Sequence, residues 1–154
     1  MRRLLRLIVL AVAILSTSVQ FVRPNKTNPP INQVQTIAAQ VHVAPEIAEI
    51  FERACKDCHS NQTDWPWYAQ VSPVSWYVTD HVNHGRSHLN FSEWAAYDRE
   101  QADFLLGAMC MTAERGQMPL ASYTRLHHSA KLSPLDVQTL CAWSRVERGR
   151  LAKK

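Results

Sequence analysis

The sequence predicts an all-α fold, in which a small domain of about four helices follows an apolar N-terminal helix. Apolar residues recur at helical spacing in four stretches after residue 44, and Pro or Ser stands at the start of each stretch. No stretch shows the apolar–polar alternation of a strand, the dipeptide of a hairpin turn or an internal repeat. The domain is therefore expected to consist of helices and loops.

The first 22 residues have the pattern of an export signal. Three arginines, at positions 2, 3 and 6, precede the apolar run Leu7–Leu15, which continues less purely to Val22. The run is close to the roughly 20 residues that span a bilayer, so we favour an uncleaved anchor whose arginines stay on the cytoplasmic side. Cleavage after Ser18 is the alternative. We expect the rest of the chain on the periplasmic face of a bacterial inner membrane, or free in the periplasm if the signal is cleaved.

The charge of the chain argues against a nucleic-acid partner. The 154 residues carry a formal net charge of +4, and four arginines within the first 23 residues account for this excess. Since the chain has 17 Lys and Arg in all, the other 13 balance its 13 Asp and Glu residues. Basic residues with interleaved aromatics, the pattern typical of nucleic-acid binding, do not occur.

The remaining residues divide into a linker and one domain. Residues 23–44 are predicted as an extended tether because Pro24, Pro29 and Pro30 interrupt a polar sequence. Residues 45–150 form the predicted domain, and its third helix is expected to end near Gly116. The expected helix starts are Pro45, the residues after Ser72-Pro73, those after Ser92, and Ser133-Pro134 with its Asp136 cap partner.

The run Cys55-Lys56-Asp57-Cys58-His59 is the attachment signature of haem c. Two thiols one helical turn apart can each add to one vinyl group of the same haem, and His59 then becomes an axial ligand of the iron. A thioredoxin-like C-x-x-C would need a preceding strand, and half a zinc site would need a second ligand pair. Neither occurs in the sequence, so we predict one covalently bound haem per chain.

Met118 is the best candidate for the second iron ligand, because it lies beside Pro119 in a loop that follows Gly116. Met109 and Met111 lie on a predicted helix, which directs them into packing or solvent. The rivals are histidines, which would give bis-histidine coordination or, in the first group, a separate metal site. These histidines are His81, His84 and His88 on one helical face, and the pair His127-His128.

Aromatic residues crowd the sequence that follows His59. Such side chains can exclude water from a porphyrin, and their polar atoms can reach its propionates. We therefore expect at least two of the five aromatics Trp65, Trp67, Tyr68, Trp76 and Tyr77 to contact the haem directly, and the first four are the main candidates. Arg86 is a candidate propionate partner, although an ordinary surface role is the alternative.

Cys110 and Cys141 lie outside the haem signature. Both fall on inward faces of predicted helices, and an oxidising compartment allows a disulfide between them. Two inert buried thiols are an equally good interpretation.

The ordered motifs of residues 45–145 resemble those of the bacterial haem-binding domain family, whose members are small, membrane-anchored or exported, monohaem proteins. The resemblance implies a cytochrome c-like helical fold, attachment through Cys55 and Cys58, and ligation by His59, and it supports Met118 as the loop ligand. It implies little about physiological role. The segments that carry the resemblance are Cys55–Asn61, Trp65–Tyr68, Ser72–Trp76, His84–Arg86, Leu89–Trp94, Gly116–Leu120, Tyr123 and Leu126-His127.

Two functions fit these features. An electron carrier would hold a six-coordinate haem at the membrane surface and exchange single electrons with redox protein partners, without acting as an enzyme. A haem-based gas or redox sensor, or a small peroxidase, would instead leave the distal position labile, with one of His81, His84 or His88 as acid and base.

Overall fold

The computed structural model describes residues 1–153, and within them the regular secondary structure is entirely helical. This confirms the predicted all-α class. The α-helices are α1 (Arg2–Ser18), α2 (Ile37–Gln40), α3 (Pro45–Ala54), α4 (Lys56–His59), α5 (Val74–His88), α6 (Arg99–Glu114), α7 (Ala121–Thr124) and α8 (Pro134–Leu151). Short 3₁₀ turns cover Val19–Phe21, Gln33–Gln35, Trp67–Gln70, Phe91–Ala96 and His128–Ala130.

The helix starts follow the local signals in the sequence. Pro45 occupies the first turn of α3, and Ser133 and Asp136 form a reciprocal capping box at the start of α8. The third predicted helix begins later than Ser92, because that residue lies within a 3₁₀ turn and Asp98 then caps α6 through a capping box with Gln101. Helices α6 and α8 thus begin where side chains satisfy their first free N–H groups, whereas α3 and α5 have no side-chain cap.

Helices α6 and α8 form the most extensive helix pair and are joined covalently. Cys110 and Cys141 form a disulfide with a Cα–Cα distance of 4.7 Å, which resolves the alternative left open by the sequence. Buried Ser144 donates from Oγ to the Leu106 carbonyl at 2.7 Å. The apolar core continues from this pair to α3 and includes Ile47, Ile50, Phe51, Leu106, Leu140 and Trp143.

The segment predicted as an extended tether contacts the domain at several points. Ile37 is 5% exposed and belongs to the core cluster, and the Trp143 indole donates to the His42 carbonyl at 2.7 Å. Nearer the N-terminus, Arg86 donates to the Thr27 carbonyl and to the Asn28 side chain, each at 2.8 Å. Residues 27–42 are therefore held against the helices at both ends.

Helix α1 lies apart from the core and is exposed along its length. Together with the following turn it spans Arg2–Phe21, 20 residues with a mean hydropathy of 2.0, and is long and apolar enough to cross a membrane. Its far end is tied to the domain, since the Gln20 amide exchanges two hydrogen bonds with the Ser72 backbone, both at 3.0 Å. The Trp76 indole donates to the Val22 carbonyl at 2.7 Å.

Candidate functional site

One apolar cavity of about 460 Å³ lies between α3–α4, α5, α6 and the loop that leads to α7. Its volume is within the range of cofactor sites, about 300–1,000 Å³. Four residues predicted from the sequence line it together: Cys55, Cys58, His59 and Met118. The rest of the lining is largely apolar and includes Phe51, Leu89, Phe91, Phe104, Leu105, Leu120, Leu132 and Leu140.

His59 is held in the orientation and protonation state that a metal ligand needs. Its Nδ1 lies 3.0 Å from the Gly85 carbonyl and 3.1 Å from the Leu89 carbonyl, so Nδ1–H is the donor and Nε2 is left free. Burial lowers the pKa of His59, against the opposite effect of the two carbonyl oxygens. The neutral imidazole with a free Nε2 is the form that binds iron.

Gly85 allows α5 to approach the C-x-x-C-H segment closely. A Cβ atom built on Gly85 would lie 2.3 Å from the Cys58 carbonyl oxygen, which is far inside van der Waals contact. The same residue supplies one of the two carbonyl groups that bind His59. Gly85 is therefore a positioning residue. It belongs to the segment His84–Arg86 of the family resemblance, which assigns it no role, and only the packing of α5 on α4 shows its function.

Cys55 lies at the junction of α3 and α4, and Cys58 lies within the single turn of α4. Cys55 ends α3, and its carbonyl accepts from the N–H groups of Cys58 at 3.2 Å and His59 at 3.0 Å. Burial raises the pKa of Cys55 to about 12, with a further contribution from Cys58. Burial also raises the pKa of Cys58 to about 11, and the neighbouring Asp57 carboxylate adds to the effect. Both sulfurs are thus neutral thiols facing an apolar cavity at ordinary pH.

The end of α6 places Met118, which is 39% exposed, at the lining of the cavity. Gly116 has a φ of +63°, its N–H donates to the Ala113 carbonyl at 3.0 Å, and the Gln117 N–H donates to the Thr112 carbonyl at 2.9 Å. This is the Schellman arrangement, which terminates a helix and reverses the chain. Met118 N–H also donates to the Thr112 carbonyl at 3.2 Å, so the loop is fixed to the last turn of α6.

Hydrogen bonds tie the Met118 loop region to the cysteine turn. Tyr123, which lines the cavity, donates to the Asp57 carboxylate at 2.7 Å and stacks on His127 at a centroid distance of 4.3 Å. The Tyr68 hydroxyl lies 2.6 Å from His127 Nε2. Burial raises the pKa of Tyr123, and its bond to Asp57 adds to this, so the phenol remains a donor. Asp57 thus links the spacer of the C-x-x-C-H run to α7.

The structure does not place the other predicted residues in the cavity. Trp65, Trp67, Tyr68, Trp76 and Arg86 all lie among the described residues, and none of them lines it. Trp67 is 79% exposed, and Trp76 binds the Val22 carbonyl instead. The sequence places these aromatics close to His59 along the chain, but in the structure other side chains line the cavity.

Arg86 likewise acts on protein groups. Its guanidinium donates to the Ser60 carbonyl and the Thr63 hydroxyl, each at 2.8 Å. It also donates to the Thr27 carbonyl and the Asn28 side chain. Four donated bonds occupy most of its five N–H groups, and the expected propionate contact stays a prediction. Arg86 fixes the loop that leaves the C-x-x-C-H turn.

Further side chains with ligand atoms line the same cavity. His81, His84 and His88 are all present, and the first two donate from Nδ1 to backbone carbonyls one turn earlier, at 2.8 and 2.9 Å. Met109 also lines the cavity, whereas the sequence directed it only into packing or solvent. Met111 is exposed, as expected.

An apolar cavity with two thiols, an oriented neutral imidazole and a thioether has the donor set that a haem requires. The fold and this site define a helical haem protein. A family model described as a haem-binding domain matches residues 14–146, and the chain belongs to that family. No curated protein and no solved structure matches the chain.

Proposed function

We propose that the protein is a membrane-anchored c-type cytochrome that carries single electrons between redox protein partners on the periplasmic face of the inner membrane. Residues 1–22 would be the anchor and residues 45–150 the haem-binding domain, with residues 23–44 between them. The observation that carries the proposal is the convergence of Cys55, Cys58 and an Nε2-free His59 on one cavity.

The placement of the thiols supports covalent attachment of the haem. When bound, the haem supplies a one-electron couple. Cys55 and Cys58 face the cavity from one turn and would each form a thioether, while His59 Nε2 would bind the iron. The carbonyls of Gly85 and Leu89 hold the His59 ring in place, which would limit its reorganisation on electron transfer by a bound haem.

The second residue that would hold the iron is Met118, which stands on a loop fixed at both ends. A thioether ligand and an apolar lining both favour the less charged ferrous state and raise the reduction potential. No second catalytic group is needed for such a carrier, which agrees with a lining that is mostly aliphatic and aromatic.

The test is the pyridine haemochrome spectrum after extraction with acidified acetone. The parent chain should keep its haem, and the single variants Cys55→Ala and Cys58→Ala should each show a band shifted towards that of a haem with one free vinyl group. The double variant should lose its haem to the solvent. Covalent haem in the double variant would contradict the attachment proposed here.

A second candidate function, a haem-based sensor or small peroxidase, is favoured by the three histidines in the cavity lining. His81 and His84 keep Nε2 free, because their Nδ1 atoms bind backbone carbonyls. Such a group could serve as acid and base beside an open iron position. Carbon monoxide binding to the reduced parent protein separates the two functions: slow or absent binding supports the carrier, and rapid binding supports the alternative.

A further inference from the structure

We propose that the uncharged segment from Trp67 to Tyr77 docks onto the lipid interface beside the end of α1, so that the domain lies on the membrane in one fixed orientation. This inference rests on the proposed membrane anchor, and it goes beyond it by assigning a second, independent lipid contact. We call this segment the aromatic surface; its exposed members are Trp67, Val71, Val74, Trp76 and Tyr77.

The first observation is exposure without charge. The stretch between Asp64 and Asp80 contains no charged residue, although it lies on the outside of the domain. Trp67 is 79% exposed and Val71 is 45% exposed. Large exposed aromatic and apolar side chains in an uncharged stretch are typical of an interaction site rather than of a solvated surface.

The second observation is the direct connection to α1, which selects lipid as the partner. The Gln20 amide binds both the N–H and the carbonyl of Ser72, and Val22 accepts from the Trp76 indole. Lys26 donates to the Ala69 carbonyl, at 2.9 Å, and to the Gln70 side chain. The chain that leaves α1 is therefore hydrogen-bonded along the aromatic surface and not free to swing away.

The depth of insertion agrees with this placement. The stretch from Leu4 to Val22 is about 28 Å long at the helical rise, close to the hydrocarbon thickness of about 30 Å. If the arginines near the start remain on the cytoplasmic side, Val22 reaches the opposite interface, and Trp76 must lie at the same level. Trp and Tyr prefer this level.

A lipid contact also explains why Trp67 and Trp76 lie outside the haem cavity. Their exposed rings would be buried by the bilayer interface, while the cavity is lined by Phe51, Phe91 and Phe104 instead. A fixed orientation would present one face of the domain to soluble redox partners at every encounter.

The experiment measures thiol accessibility in full-length, haem-loaded protein reconstituted in phospholipid vesicles. Cys110 and Cys141 form a disulfide, and the proposed thioethers occupy the other two cysteines, so an introduced cysteine is the only free thiol. The test variants are Trp67→Cys and Val71→Cys. The matched control is Val146→Cys on α8, where the native Val is 54% exposed, and the parent chain gives the background.

We expect a charged, membrane-impermeant thiol reagent to react with the two test variants roughly tenfold more slowly than with Val146→Cys, since ions are excluded from apolar surroundings. A Leu10→Cys variant reports on the anchor itself. Slow reaction of Leu10→Cys with fast reaction of both test variants would overturn the docking and leave the anchor intact. Fast reaction at all positions would overturn both.

Discussion

The substitution Gly85→Ala should disrupt the site although it adds a single methyl group and favours helix formation. The new Cβ would lie 2.3 Å from the Cys58 carbonyl oxygen, whereas ordinary contacts begin near 3.4 Å, so α5 must move by about 1.1 Å. The bonds from His59 to the Gly85 and Leu89 carbonyls, now 3.0 and 3.1 Å, would then exceed hydrogen-bonding distance.

The magnitude follows from three contributions. Overpacking costs about 1–3 kcal/mol, and loss of the His59 bonds costs about 1 kcal/mol more. The higher helix propensity of Ala returns up to about 1 kcal/mol. The net loss of roughly 1–3 kcal/mol corresponds to a decrease in Tm of about 3–9 °C for a chain of this size.

The assay is thermal unfolding of the haem-loaded protein in detergent, together with its ferric absorption spectrum. Gly149→Ala is the matched control, because Gly149 lies in α8 with open space around the new Cβ, and its Tm should stay equal or rise slightly. If Gly85→Ala melts at the parent temperature with an unchanged spectrum, the close approach of α5 does not position His59 and the reasoning fails.

Three further predictions concern the second ligand, the disulfide and one ion pair. Met118→Ala should abolish the charge-transfer band of thioether ligation and open the iron to carbon monoxide; the same outcome in Met109→Ala alone would move the ligand to α6. Replacing Cys110 and Cys141 together by Ser should destabilise the protein by up to about 4 kcal/mol, since the bond closes a loop of 31 residues, and unfolding by urea measures this. Asp103→Asn should lower the free energy of unfolding by less than about 1 kcal/mol at pH 7, because the ion pair of Asp103 with Arg148 is partly exposed. The hydrogen bond from Arg148 lowers the pKa of Asp103 below its ordinary value of 3.8. The stability that the ion pair contributes is therefore fully present above pH 3.8 and is lost as the pH falls through the lowered pKa. A stability difference between variant and parent that persists in strong acid would contradict this.

The features that the sequence by itself determined are those that depend on neighbours in the chain. The spacing of Cys55, Cys58 and His59 places all three on one turn, whatever the rest of the fold does. Pro45 and Ser133 set helix starts, and Gly116 sets a helix end, because caps involve only residues within five positions of one another. Met118 could be selected for the same reason, since its loop follows directly from that helix end.

Only the tertiary structure decided which distant segments surround the cavity. The Trp residues after His59 were assigned to it by proximity in sequence, but the loop after Ser60 turns away and leaves Trp67 exposed. Phe104 and Met109 of α6 line the cavity instead. The periodicity of that helix predicts which face a residue lies on, but not which other element that face contacts.

The same limit applies to Gly85 and to the cysteine pair of α6 and α8. The local helix conformation at position 85 does not require glycine. Glycine is needed there because α5 packs directly on the Cys58 carbonyl. The sequence is equally compatible with a disulfide between Cys110 and Cys141 and with two free thiols. The packing of α6 on α8 places their Cα atoms 4.7 Å apart and so decides for the disulfide. Contacts between residues far apart in sequence depend on how whole helices pack, and no pattern within one helix contains that information.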